Sequence, residues 1–209
     1  MNEFNVIIAN GEFPIHSYPL ELIKKAKKKL LEMGIPQNSK IAVIIVRDNK
    51  YLKVNFKYAD FSYHSYRDCN INNYKSAAEF LTSKGYYVFR MGSEVKDEFS
   101  VKNEKIIDYA NNEKFKSPFM DIYIGYICTF CITTGTGYDA IPNLLFRKPI
   151  LFSNVIPLGQ IASYRKKSIC LPKKYYSKDL KKYVKYSKIM DKKFSLFGNT
   201  HQYTENNLR

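Results

Sequence analysis

Residues 130–152 read FCITTGTGYDAIPNLLFRKPILF, and this stretch decides the fold. An apolar run, FCI, leads into Thr133-Thr134-Gly135-Thr136-Gly137. GYDAIPNLLF (137–146) then has helical spacing, and KPILFSN (148–154) is apolar and β-prone again. Strand, tight turn, helix, strand is the signature of a βαβ unit. The chain has only nine glycines, so two within three residues mark a turn with a special backbone demand.

Working outward, the same alternation continues. KIAVIIVRD (40–48) is the continuous β-branched run of a strand buried on both faces. SYPLELIKKAKKKLLEMG (17–34) predicts an amphipathic helix with Ser17 as an early cap and Gly34 as its stop. NNYKSAAEFLTSKG (72–85) predicts a second helix, YYVFRMG (86–92) a strand and EKIIDYA (104–110) a short strand. SPFMDIYIGY (117–126) opens with a cap and a proline at the first helical position, and ICTFCI (127–132) follows as a strand. Residues 49–70 show no clean period and read as a long loop. Residues 1–15 hold a short apolar NVIIA before a break. The C-terminal third predicts one or two amphipathic helices and a frayed polar tail. The expectation is an α/β protein with a Rossmann-like, mostly parallel sheet and helices on both faces. Its segments are an N-terminal helical segment or linker remnant (1–36), a Rossmann-like domain (37–175), and a C-terminal helix and tail (176–209).

Composition narrows the function classes. No apolar run reaches the roughly 18 residues of a membrane span, and the N-terminus lacks the basic flank of a secretory signal. A cytoplasmic location, with a peripheral place on the inner membrane face as its variant, is the simplest expectation. The net charge of +15 fits nucleic acid or an anionic surface, but 28 lysines against six arginines also fit a general compositional bias. Arginine is therefore the more informative cation. Cys128 and Cys131 form a C-x-x-C pair inside a predicted strand, where residues three apart face opposite ways, so buried thiols are expected rather than a zinc or redox pair. With His16, His64 and His201 far apart, no metal cluster is expected.

In a parallel sheet ligands bind beyond the carboxyl ends of the strands. There the sequence delivers Arg47 and Asp48, Arg90, Asp108, and the turn Thr133, Thr134, Gly135, Thr136, Gly137. Backbone N–H groups at such a turn suit a phosphate, while the plain alternative is that Thr134 or Thr136 caps its own helix. The turn matches neither the P-loop nor the dinucleotide fingerprint. Arg47 suits a phosphate or an ion pair with Asp48 or Asp108. Arg67 has similar alternatives, and Arg90 favours a structural role. His64 reads as a loop histidine or a base.

YRDCNINNYKSAAEFLTSKGYYVFRMGSEV (66–95), SPFMDIYIGYICTFCITTGTGYDAIPNLLFRKPILFSN (117–154) and IAVIIVRDNKY (41–51) resemble a family of predicted bacterial glycosyltransferases of surface-polysaccharide gene clusters. The pattern is more distantly similar to the fucosyltransferase superfamily. The resemblance covers residues 36–175 and implies the C-terminal, donor-binding half of a two-domain GT-B enzyme. On it, Arg47 contacts the donor phosphates, Thr133 to Gly137 cradle them, Arg67 lines the donor side, and Asp121 matches a family aspartate. It implies a nucleotide-sugar donor, no cofactor or metal, and a glycan or lipid-linked acceptor. About 40 residues precede the first matching strand, too few for an acceptor domain, so the expectation is a truncated product, an excised piece or a half-enzyme completed by a partner chain. Asp48, His64 and Asp108 are unranked candidates for the general base. A non-catalytic phosphate-binding module, or a basic protein docking on anionic lipid or nucleic acid through lysine-rich segments such as 171–188, are the competing readings.

Overall fold

The computed structural model describes residues 17–160, 167–190 and 192–209. The NVIIA stretch, His16 and part of the expected C-terminal helical region lie outside them. The principal elements of the sheet and of the segments around it come first in the chain. They are α1 (Leu20–Glu32), β1 (Lys40–Ile45), α2 (Lys50–Asn55), α3 (Lys75–Ser83), β2 (Tyr86–Arg90), β3 (Ile106–Ile107), α4 (Pro118–Ile127), β4 (Phe130–Thr133) and β5 (Ile150–Val155). A sixth strand, β6 (Ile169–Pro172), completes the sheet.

The strand order is β3-β2-β1-β4-β5-β6, and every pairing is parallel. This is the doubly wound Rossmann-like arrangement, in which the chain steps outward from β1 first one way and then the other. β1 is central because every residue after Lys40 is buried. Ile41, Val43 and Ile45 pack with Ala26 and Leu30 of α1 and with Met120, Tyr123 and Ile124 of α4. Ile44 and Val46 face the other way, onto Tyr74 and Ala78 at the start of α3. A strand covered on both faces has no polar side to show, which is why its sequence is a continuous apolar run.

Several expectations are corrected. Helix α1 starts after Pro19 with no side-chain cap, so Ser17 does not serve as one. Residues 49–70 are not structureless: α2 is followed by a 3-10 turn over Ser62–Arg67. Helix α2 has no buried residue, so no apolar stripe could announce it. The strand expected at 127–132 begins only at Phe130, because α4 runs on to Ile127 with Cys128 as its C-cap. Cys128 and Cys131 are fully buried free thiols, and burial pushes the Cys128 thiol up to about 12.

The helix expected at 137–146 is instead a 3-10 turn (Gly137–Asp139) and a wide turn over Ile141–Leu145. Pro142 lacks an N–H, and the Phe146 N–H reaches back five residues to the Ile141 carbonyl at 3.2 Å.

The C-terminal third is also reassigned. A two-stranded antiparallel ribbon, β7 (Tyr176–Ser177) with β8 (Lys182–Tyr183), precedes three short helices: α5 (Tyr186–Ile189), α6 (Lys192–Ser195) and α7 (Thr200–Glu205). The tail is anchored rather than frayed. Tyr203 and Leu208 are buried with Ile156, Tyr175, Ile189 and Phe197, and Arg209 exchanges two backbone hydrogen bonds with Tyr176, each 2.9 Å.

Candidate functional site at the switch point

Strands β1 and β4 are adjacent, yet the chain leaves them toward opposite edges of the sheet. Their carboxyl ends therefore diverge and open a crevice, the usual ligand position in this architecture. Side chains gather there from four segments: Arg47 and Asp48 after β1, residues 64–68 at the end of the 3-10 turn, residues 92–95 after β2, and residues 133–139 after β4.

The turn after β4 is built by its own side chains. Thr133 is fully buried; its hydroxyl donates to Asp139 Oδ2 at 2.8 Å and accepts the Gly135 N–H at 3.0 Å. The same Asp139 oxygen accepts the Thr136 N–H at 2.9 Å. Thr134 N–H donates to the Ile45 carbonyl at 3.3 Å. Gly135 sits at φ +80°, where a side chain is strained. A Cβ on Gly137, by contrast, would meet nothing within 4 Å, so that position faces open space.

The N–H groups of Thr134, Gly135 and Thr136 are thus engaged inside the chain. In this structure the positive charge at the crevice comes mainly from side chains. Arg67 reaches over the turn and donates from Nη2 to the Gly135 carbonyl at 2.7 Å. Its Nε is buried with no hydrogen-bond partner. Arg47 is half-buried, with Nε 3.6 Å from Asp68 Oδ1, too long for a hydrogen bond. Burial and the neighbouring Arg67 both push the Arg47 guanidinium down, against the pull of Asp68. Burial also pushes the Asp68 carboxyl up despite Arg47. Lys173, just past β6, ties the segment down by donating to the carbonyls of Tyr66 and Asp68, both at 2.9 Å.

The three base candidates separate on geometry. Asp48 is a clasp: Oδ1 accepts the Lys50 N–H at 2.8 Å and Oδ2 the Lys96 N–H at 3.0 Å. Asp108 is held by Arg90 Nη1 at 2.9 Å, by the Phe99 N–H at 2.9 Å and by Asn111 Nδ2 at 2.7 Å. Arg90 is buried at the end of β2 and also donates to the Asp97 carbonyl at 3.0 Å, so this pair braces the sheet. His64 differs: its Nδ1 is buried with no hydrogen-bond partner. Burial, then Arg47 and Arg67, lower its pKa from 6.5, so its neutral form is the one favoured.

Beside Arg47 lies a cleft of about 400 Å³ with Asp48, Met91, Glu94, Asp121 and Gly137 among its lining residues. Asp121, in the first turn of α4, has its carboxyl raised mainly by burial. Among the described residues no three His, Cys, Asp or Glu side chains converge as a metal site requires. No described helix is long and apolar enough to cross a membrane.

The sequence reading passed over Asp139, Asp68 and Lys173. Asp139 carried a signal, since Thr136-x-x-Asp139 is a capping-box spacing. Asp68 and Lys173 carried none, because what matters is their approach to residues far away in sequence.

The fold and crevice define a Rossmann-like α/β protein with two arginines at its topological switch point. Compared with family models, with curated proteins and with solved structures, the chain matches none.

Proposed function

We propose that this chain is the donor-binding part of a metal-independent glycosyltransferase of GT-B type, using a nucleotide sugar and a glycan or lipid-linked acceptor. The observation that carries the reading is the convergence of Arg47 and Arg67 beside Gly135, at the mouth of the β1–β4 crevice. Two guanidinium groups whose Nε atoms make no hydrogen bond suit a diphosphate, whose oxygens accept forked donors. As the sugar departs, charge grows on the leaving phosphate, and fixed cations in a half-buried site stabilise it without reorganising. Of the three base candidates His64 alone keeps a ring nitrogen without a hydrogen bond, since both oxygens of Asp48 and of Asp108 are engaged.

The non-catalytic reading has one observation in its favour: the N–H groups of Thr134 to Thr136 are already bonded within the chain. A single experiment addresses both readings. Thermal midpoints are measured with GDP, UDP, CDP and ADP and their common sugar conjugates, with and without magnesium, followed by assay of donor hydrolysis. A ligand at 100 times its Kd adds about 2.7 kcal/mol, or roughly 5 to 10 °C for a chain of this length. A shift for one nucleotide class, indifferent to magnesium and lost in Arg47→Ala, supports the donor site. A shift with no turnover of any sugar conjugate favours the non-catalytic module, and no shift at all removes both.

A further inference from the structure

Helix α2 and the turn after it are out of place for a segment so apolar. The helix has no buried residue. Val54 and Phe56 are exposed and Tyr58 is fully so, at 104%. These residues bound a groove of about 490 Å³ between Val54 and Ala59. The rings do not dive into the core but lean on one another. Phe56 meets Tyr51 edge-on at 6.4 Å between centroids and Phe61 edge-on at 5.7 Å. Lysines are threaded through the same stretch, Lys50, Lys53 and Lys57, with no acidic residue from 49 to 59.

We infer that residues 50–58 dock the protein onto an anionic lipid bilayer. The chemistry selects this occupant. Aromatic residues with apolar neighbours and flanking lysines match the boundary layer of a membrane, where rings sit among headgroups and ammonium groups meet phosphates. A protein interface core is depleted in lysine, whereas here a lysine falls every three or four residues. A single-stranded nucleic acid stacks on open ring faces, whereas Phe56 is flanked edge-on by two neighbours, and Val54 adds surface that only hydrocarbon rewards. Docking is distinct from the lysine-rich stretch at 171–188 and does not require the donor reading. Tyr51 also lines the 400 Å³ cleft, so a docked α2 sets that cleft beside the headgroup layer.

The test is co-sedimentation of the full chain with phosphatidylcholine vesicles, with and without phosphatidylserine, at low and high salt. Three variants are run beside it: Phe56→Ser/Tyr58→Ser, Lys53→Glu/Lys57→Glu, and Phe80→Ser as a control at an exposed ring on α3. The expected result is binding to phosphatidylserine vesicles that weakens with salt, falls about tenfold or more in each double variant, and is unchanged in the control. Thermal midpoints and nucleotide responses of the double variants should match the parent, because Lys53, Phe56, Lys57 and Tyr58 are all exposed. Equal binding by parent and double variants overturns the proposal. So does equal binding to uncharged vesicles, no vesicle binding at all, or binding to single-stranded DNA that displaces the protein from vesicles. A missing nucleotide response in the parent bears on the donor reading alone.

Discussion

The backbone N–H of Arg47 donates to the Thr134 hydroxyl at 2.8 Å, across 87 residues of chain. Thr134 returns the contact through its own N–H, which donates to the Ile45 carbonyl at 3.3 Å. The ladder between β1 and β4 is thereby extended one step past the strands, into the crevice. Arg47 is held in place by its main chain, leaving its guanidinium to be aimed by Asp68 and Arg67.

Removing that hydroxyl should be felt twice. Thr134→Val leaves a partly buried N–H without an acceptor, which costs about 1–3 kcal/mol. At roughly 2 to 4 °C per kcal/mol for this chain length, calorimetry should show a clear fall in midpoint. The nucleotide response should fall as well, because Arg47 is no longer fixed. Thr134→Ser restores both; a variant as stable as the parent would remove the role given to this bond.

Arg90 and Asp108 form a buried brace, with the Arg90 side chain only 2% exposed. Truncating one partner strands the other in a low-dielectric site, a change that typically costs about 3–5 kcal/mol. Arg90→Met should therefore lower urea-unfolding stability strongly. Asp108→Asn should lower it comparably, because an amide oxygen that still accepts from the Phe99 N–H turns the amide NH2 toward the buried Arg90 guanidinium. If Asp108→Asn instead left stability intact but abolished turnover, Asp108 would be the base after all.

Burial raises the Asp139 carboxyl above its ordinary 3.8, ahead of the opposing hydrogen bonds from Thr136 and Thr133. The folded state then holds its proton more tightly than the unfolded chain. The stability that follows is fully present below 3.8 and is lost as pH rises through the raised folded value. Asp139→Asn keeps an oxygen for both donors and cannot ionise. Measured across acid pH, the parent should gain on Asp139→Asn as pH falls; parallel curves would mean that the carboxyl is not raised.

His64 behaves in the opposite sense. Its folded pKa is depressed below 6.5 by burial and by two arginines, so the unfolded chain binds the proton more readily. That contribution is present above 6.5 and is lost as pH falls through the depressed folded value. His64→Gln should lose less stability than the parent on acidification below neutrality. Direct titration of the ring by NMR checks the same point, and a pKa at or above 6.5 would contradict the burial of Nδ1.

Tyr203 links the tail to the crevice. Its ring lies 4.8 Å from that of Tyr66, and Thr200 of the same helix donates to the carbonyls of Ser62 and Tyr63 at 3.1 and 3.0 Å. Tyr203→Ala empties the smaller C-terminal core at about 3–5 kcal/mol. Limited proteolysis should then open the 62–67 turn, and the nucleotide response that depends on Arg67 should weaken. Faster cleavage only beyond residue 175 would show that the tail and turn are independent.

The alternation of buried runs and amphipathic stretches was enough to place the parallel sheet, because a strand covered on both faces must be apolar throughout and a covering helix must carry one apolar stripe. The cap at Ser117-Pro118 was legible for the same local reason: its Oγ accepts the Met120 N–H within one turn. Helix α2 leaves no apolar stripe in the sequence because it has no buried residue, and 137–146 keeps a helical spacing that Pro142 breaks. The tail's burial depended on contacts with Ile156, Tyr175 and Tyr66, partners that polar composition does not reveal. At the crevice, residue types pointed to Arg47, Arg67 and the threonine–glycine turn. Whether Asp48, Asp108 and His64 are clasp, brace or unbonded ring depends on which donors reach them, and the deciding ones, Lys96 for Asp48 and Arg90 for Asp108, lie 48 and 18 residues away in sequence. Local pattern follows from nearest neighbours along the chain; the state of an ionisable group follows from neighbours in space.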